Sequence, residues 1–334
     1  MLLCNRVSET LMPTTVFFAT NRVVTNATDP NDGYKPVMVP PLRPQDITYG
    51  RARVEGVDVN TNAQGFVAQI DDVTQGRFSD QAIATLSNPR TDLLVFIHGF
   101  DNTFSDAISR AAFNREWLAA SGLPRTNTTV VAFSWPSSGR VVGFPILTKP
   151  YLADQHMARN SGLAVMSFLA NLDPIIRAAH KSGSRVTLLA HSMGNLALQS
   201  GVENWFLNGN GEDIIFDLTV LAAADCRYDV FDHPSPAGLS GLTQLSERIA
   251  IYFSRADQVL QLSMVVSLGA KRLGQDGPHN RADPRAFPPG QFPMTDCTDI
   301  RDFDFNFMTS HQYYRLSPQV RTTIAGEMAG PVVV

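Results

Sequence analysis

Apolar residues in this chain gather into short, compact runs that alternate with longer stretches of helical spacing. Runs at 16–20, 92–97, 129–133, 186–190, 217–223 and 248–253 are five to seven residues long and almost wholly apolar or β-branched. That pattern predicts strands buried on both faces of a parallel sheet. Between them, residues 103–120 place Phe104, Ala107, Ile108, Ala111, Ala112, Trp117 and Leu118 on one side of a predicted amphipathic helix. A long helix over 157–180, kinked at Pro174, and helices over 196–202 and 259–273 are predicted in the same way. Residues 49–59 alternate and predict a strand pair or a bulged edge strand, whereas 65–83 carry no clear period. Phe303, Phe305 and Phe307 alternate with polar residues, so 300–307 reads as the last strand, and Ser317 with Pro318 opens a terminal helix. From residue 93 onward strand and helix alternate about five times, which predicts an α/β fold with helices on both faces of a mostly parallel central sheet.

The 334 residues show no internal repeat and no low-complexity divider, so a single domain over 1–334 is expected, with 1–12 as a loose lead-in. An irregular loop is expected over 23–44, rich in Asn, Asp, Gly and Pro. Two further stretches, 137–156 and 274–299, are apolar or Pro/Gly-rich yet interrupted, and are read as cap-like loops. A hydrophobic content of 44% against 17% charged residues allows a large core. The net charge of −4 gives no reason to expect nucleic acid as a partner. No transmembrane segment and no signal peptide is expected, and Cys4, Cys226 and Cys297 are too far apart for a disulfide framework or a zinc site. Free thiols fit a cytoplasmic protein.

Ser192 follows the apolar run at 186–190 directly, in the pentapeptide AHSMG, and a helical segment follows it. Strand, sharp turn with serine at its apex, then helix is the context of a nucleophile elbow, usually written G-x-S-x-G. Ala190 stands at the first glycine position and is small enough for the turn. A serine nucleophile needs a base, an acid that orients the base, and donors for an oxyanion. Of seven histidines, His311 follows the predicted last strand over 300–307 by a few residues, and the order serine, acid, histidine selects it as base. Asp257, just beyond the run at 248–253, is favoured as the acid, with Asp225, beyond 217–223, as its rival. The backbone amides of Met193 and Phe100 are the expected oxyanion donors. His98, Gly99, Trp135, His191 and Asp225 are expected to line the substrate pocket, with His98 bracing its loop rather than moving protons. No phosphate-binding G-x-x-x-x-G-K-[ST] loop, no G-x-G-x-x-G after a strand and no H-E-x-x-H is present, so neither a cofactor nor a metal is expected.

Six ordered motifs, VFFATNR (16–22), YGR (49–51), FIHGF (96–100), FSWPS (133–137), AHSMGN (190–195) and HQYY (311–314), together resemble the bacterial α/β-hydrolase family called domain of unknown function 900. The resemblance spans residues 14 to 320. It implies an α/β-hydrolase fold with a Ser192–Asp257–His311 triad and says little of the substrate. A serine hydrolase of carboxylic esters, small-molecule or polymeric, is therefore the expected function. Lactones, thioesters, polyesters and amides fit the same triad. A non-catalytic binding module on the same fold, or an envelope-associated role with residues 1–90 as adaptor, are the expectations from other classes.

Overall fold

A computed structural model describes residues 12–38, 43–87, 91–123, 128–138, 148–211 and 213–330. The chain opens with β1 (Thr14–Thr20), a small ribbon of β2 (Val23–Val24) and β3 (Tyr34–Lys35), and two long antiparallel strands, β4 (Thr48–Asp58) and β5 (Ala63–Gln75). Next come α1 (Asp80–Ser87), β6 (Asp92–Ile97), α2 (Phe104–Ala119), β7 (Thr128–Ser134), α3 (Thr148–Asn160) and α4 (Gly162–Lys181). The elbow strand β8 (Val186–His191) leads into α5 (Gly194–Leu207). Then follow β9 (Phe216–Ala222), β10 (Ser246–Phe253), α6 (Gln258–Val266), α7 (Leu273–Asp276), β11 (Met294–Asp296), α8 (Tyr313–Leu316) and α9 (Pro318–Ala329).

Nine strands form one sheet in the order β11-β10-β9-β8-β6-β7-β1-β4-β5. All neighbours from β11 to β1 are parallel, and β4 and β5 add an antiparallel edge. The continuous apolar runs match strands covered on both faces. Along β6, Leu93, Val95 and Ile97 face a layer that contains α1, α3, α4 and α5. Leu94 and Phe96 face the opposite layer with α2 and α9. This is the α/β-hydrolase architecture. α4 is long and apolar enough to cross a membrane, but its apolar face is buried against the sheet, as in a core helix.

Order in the sheet sets the place of the site. β7 lies on one side of β6 and β8 on the other, so the winding reverses between β6 and β8, with Ile97 beside Ala190. Open parallel sheets bind ligands at the carboxyl ends of strands at such a reversal. The loops after β6 and β8 thus emerge side by side.

Four expectations need correction. Residues 300–307 form turns, and the last strand is β11 beside β10. The alternation there is spent locally. Phe303 packs on Phe305 at 5.9 Å, Arg301 covers the Phe305 ring, and the Asn306 side chain accepts from the amides of Met308 and Thr309. The predicted helix over 157–180 is two helices, because Ser161 separates α3 from α4, and Pro174 lies inside α4. The helix over 259–273 ends at Val266, where Leu268 and Gly269 turn left-handed at φ 56° and 82°. The unassigned 65–83 stretch holds most of β5 and the start of α1. Of the two expected cap loops, 274–299 brings its 291–296 part along β10, where Ile249 and Ile251 donate to the carbonyls of Gln291 and Pro293. Residues 139–147 of the other lie outside the described residues.

Candidate active site

Ser192 sits at the tip of β8 with φ 55°, a left-handed conformation that costs a non-glycine residue about 1–3 kcal/mol. The surrounding backbone holds it there. Its amide donates to the Ala222 carbonyl at 3.0 Å, and its carbonyl accepts from the amides of Asn195 and Asp225, both at 3.0 Å. The Asn195 side chain adds bonds to the carbonyls of Ala190 and Ser192, each 3.1 Å. Small neighbours are a steric need. A Cβ on Gly99 would lie 2.7 Å from that of Ser192, and a Cβ on Gly194 would meet the His98 carbonyl oxygen and lie 2.6 Å from that of Ile97. Two further left-handed residues, Asp101 at φ 59° and Ala223 at φ 47°, follow the ends of β6 and β9. Backbone strain therefore clusters at three strand ends around one spot.

His311 reaches this spot from the turn before α8. Its Nε2 lies 2.7 Å from Ser192 Oγ and its Nδ1 lies 2.6 Å from Asp257 Oδ2. Asp257 is wholly buried at the N-terminus of α6, where its other oxygen accepts from the Leu260 amide at 2.9 Å. That bond fixes the carboxylate, so capping and orienting a histidine are not alternatives here. Asp225, the rival acid, is engaged elsewhere. It accepts from Tyr151 Oη and Ser263 Oγ, both at 2.6 Å, and lies 3.4 Å from Arg272 Nε. The Arg272 contact is an ion pair without hydrogen-bond geometry, since Nε has no hydrogen-bond partner.

The remaining expected residues divide into two groups. Phe100, His191 and Asp225 line a cleft of about 100 Å³ over Ser192, together with Arg110, Tyr151 and Leu262. His98, Gly99 and Trp135 do not line it, which corrects their expected place in the pocket wall, and neither does Met193. Trp135 and Met193 belong to the core, where their large apolar area is withdrawn from water. His98 stacks on Trp135 with ring centres 5.1 Å apart. Its Nδ1 faces the Gly99 carbonyl at 2.8 Å, and Trp135 Nε1 donates to the His98 carbonyl at 2.7 Å. Burial, and then Arg22, holds the His98 imidazole well below the usual histidine range. His191 is likewise held low by burial and then by His311, and its Nε2 donates to the His311 carbonyl at 3.1 Å. Both rings are therefore neutral near pH 7, and neither adds a charge beside the His311 ring.

Gly99, on the loop after β6, lies against Ser192 at the elbow, and the backbone amides of Phe100 and Met193 come next in the chain after these two residues. Among the described residues neither amide donates to another protein group. α5 starts at Gly194, so its positive end faces the same point. Residues that sequence reasoning missed hold this loop from behind. Asn102 donates its side-chain amide to the carbonyls of Gly99 and Phe100 at 3.0 and 2.7 Å, which ties the loop to the start of α2. Buried Arg22 donates to the Asn102 carbonyl at 2.8 Å, to Ser134 Oγ at 3.0 Å and to the Ser137 carbonyl at 3.0 Å. Burial pushes its guanidinium down to about 9, against the pull of Asp154 and Asp106. Asp154 in turn accepts from Ser137 Oγ at 2.6 Å, and burial raises its carboxyl above the usual range. Arg22 and Asn102 each follow a strand end within two to five residues, and a polar residue there was the available signal.

Among the described residues no group of three or more His, Cys, Asp or Glu is gathered as a metal site. Cys226 and Cys297 are buried free thiols, each pushed up to about 12 by burial.

Three comparisons place the chain among known proteins. A novel cold-adapted esterase from an Arctic intertidal metagenomic library is 11% identical, over 90% of this chain and 92% of that chain, with a TM-score of 0.38. A Pyrobaculum calidifontis esterase is 12% identical over 94% and 88%, with a TM-score of 0.38. A Trichoderma reesei cutinase in complex with a phosphonate inhibitor is 11% identical over 75% and 83%, with a TM-score of 0.31. No curated protein matches the chain. The model of the family described as alpha/beta hydrolase of unknown function (DUF900) matches residues 76–327, from α1 to α9 and including Ser192, Asp257 and His311, and the chain belongs to that family.

Proposed function

We propose that the protein is a serine hydrolase that cleaves carboxylic esters through an acyl-enzyme. The observation that carries this reading is the continuous pair of short contacts, Ser192 Oγ to His311 Nε2 at 2.7 Å and His311 Nδ1 to Asp257 Oδ2 at 2.6 Å. In this reading Ser192 Oγ attacks the ester carbonyl while His311 Nε2 takes its proton. Asp257 keeps the proton of Nδ1 in place and stabilises the imidazolium that forms. The carbonyl oxygen becomes an oxyanion and receives the amides of Phe100 and Met193, aided by the α5 N-terminus. The intermediate collapses as His311 returns the proton to the departing alcohol. A water activated by the same ring then releases the acid and restores Ser192. The neutral state of His191 supports the scheme, because a second cation there would oppose formation of the His311 imidazolium.

The test is hydrolysis of short-chain aryl esters by wild type and Ser192→Ala, with labelling by a fluorophosphonate probe. Wild type is expected to turn over and to be labelled, and Ser192→Ala to lose at least about 10³-fold in kcat without labelling. Turnover retained by Ser192→Ala would overturn the assignment of the nucleophile. An unlabelled, inactive wild type would point instead to a binding module on this fold.

A further inference from the structure

The cleft over Ser192 has two walls of different chemistry. On one side Val259, Leu262 and Val266 of α6 are apolar, and Asp225 is matched by Arg272 and two hydroxyls. On the other side stands Arg110 of α2, half-buried and lining the cleft with Ser192, His191 and Gln312. Among the described residues no carboxylate lies within ion-pair distance of Arg110, and its hydrogen bond is a 3.3 Å contact from Nε to Gln64 Oε1. Asp106, one turn earlier on α2, is committed to the helix cap through Thr103. Asp101 also lines the cleft.

Behind Arg110 the positive charge continues. Arg315 is 7% exposed, and its Nε donates to the side-chain oxygen of Gln312, the residue that lines the cleft. Its guanidinium and that of Arg321 lie 5.7 and 5.4 Å from the Phe113 ring centre. Arg321 donates to the Arg315 carbonyl and to Asn62. Burial, then Arg110 and Arg321, pushes Arg315 down to about 9. Asp302 acts on Arg321, the member farthest along the chain from Arg110. Unpaired cations drawn this close are costly unless an anion completes them.

We propose that this wall is an anion subsite: the ester that reaches Ser192 carries a carboxylate or phosphate group, which Arg110 binds, with Arg315 and Arg321 adding to the local positive potential. The inference rests on the serine-hydrolase reading for the word ester, but the subsite can be tested apart from turnover.

The experiment uses butyrate esters of a neutral alcohol, of glycolate and of a phosphate-bearing alcohol of matched length, with an aryl hemisuccinate placing the charge on the acyl side. The quantity read is the ratio of kcat/KM for each anionic ester to that of its neutral counterpart. For at least one anionic ester, Arg110→Gln should lower that ratio by about ten- to hundredfold, the weight of one charge-assisted contact. Arg110→Lys should recover part of it, and added salt should lower the wild-type ratio. Which ester responds tells carboxylate from phosphate and acyl side from alcohol side. A ratio equal in wild type and Arg110→Gln for every ester overturns the subsite while leaving the hydrolase reading intact. If no ester is cleaved by wild type the hydrolase reading falls, and calorimetric titration of Ser192→Ala then bears on the subsite alone. Tighter binding of an anionic ester than of its neutral match, lost in Ser192→Ala/Arg110→Gln, supports it, and equal binding overturns it.

Discussion

The parallel centre of the sheet and its antiparallel edge follow different rules. β6 and β8 are buried at every residue, and both end in tight turns that meet at Ser192. β5 is longer, at 13 residues, yet most of its side chains reach solvent and Phe66 is 58% exposed. The centre has no room. Gly99 and Gly194 are in contact with the backbone or side chains of the opposite strand end. The edge absorbs irregularity, with register shifts between β4 and β5 and a left-handed Asp72. Strain at the centre is aimed at one atom, Ser192 Oγ, whereas strain at the edge only bends the sheet. The contrast teaches that the candidate site is a property of packing density at neighbouring strand ends, and the predictions below probe that claim from its strongest consequence downward.

Gly194→Ala should break the centre. The added Cβ meets the carbonyls of Ile97 and His98, where β6 passes into the loop that holds Phe100. Overpacking against backbone costs about 1–3 kcal/mol. A shift of the elbow against the oxyanion loop by about 1 Å is worth about 100-fold in rate. Ester hydrolysis and the urea midpoint should therefore fall together in this variant. Wild-type turnover in Gly194→Ala would mean that the two strand ends can separate freely, and that dense packing is not what holds the geometry.

The same contrast explains what could be read from the sequence. Strands covered on both faces leave continuous apolar runs, so β6 to β10 were legible, and with them the elbow at Ser192. Chain order pointed to His311 and Asp257, which lie 2.6 Å apart, although the strand over 300–307 that His311 was expected to follow is absent. The edge was harder. β5 lacks a clean alternation because its two faces are both partly wet, with Gly65 and Asp72 interrupting the pleat. Residues 300–307 misled for the opposite reason. Phe303, Phe305 and Phe307 alternate, but Phe303 and Phe305 pack on each other and no neighbouring strand receives them. The supports of the site left only a weak signal, a polar residue soon after a strand end. Arg22, Asn102 and Asp154 lie far apart in sequence, and only the closed sheet brings their hydrogen bonds together.

Acid should destabilise the centre in a defined window. His98 and His191 are both held well below 6.5, chiefly by burial. In the folded protein they stay neutral as pH falls, whereas the unfolded chain takes up protons below about 6.5. The unfolded state then binds more protons, so stability is full above that pH and declines below it. Each histidine contributes about 1.4 kcal/mol per pH unit once the unfolded form is charged, or about 2.7 for the two. Urea midpoints between pH 7 and pH 5 should drop accordingly, and His191→Phe should show about half the slope. A midpoint that stays level across this range would mean that one or both rings accept a proton in place.

The smallest effect belongs to the edge. Phe66 sits opposite Glu55 on β4, and its ring covers Gly56, whose Cβ position lies 3.7 Å away. Phe66→Thr places a β-branched residue with good strand propensity at the position and removes an exposed ring, with no contact to the candidate site. Surface substitutions of this kind stay within about 0.5 kcal/mol. Loss of cover over Gly56 opposes the gain from removing exposed apolar area, and both terms are small because water already reaches the pair. Chemical denaturation should place the variant within about 0.5 kcal/mol of wild type, with ester turnover unaltered. A loss above about 1 kcal/mol would show that β5 is bound into the core as tightly as β6, and would erase the distinction between edge and centre.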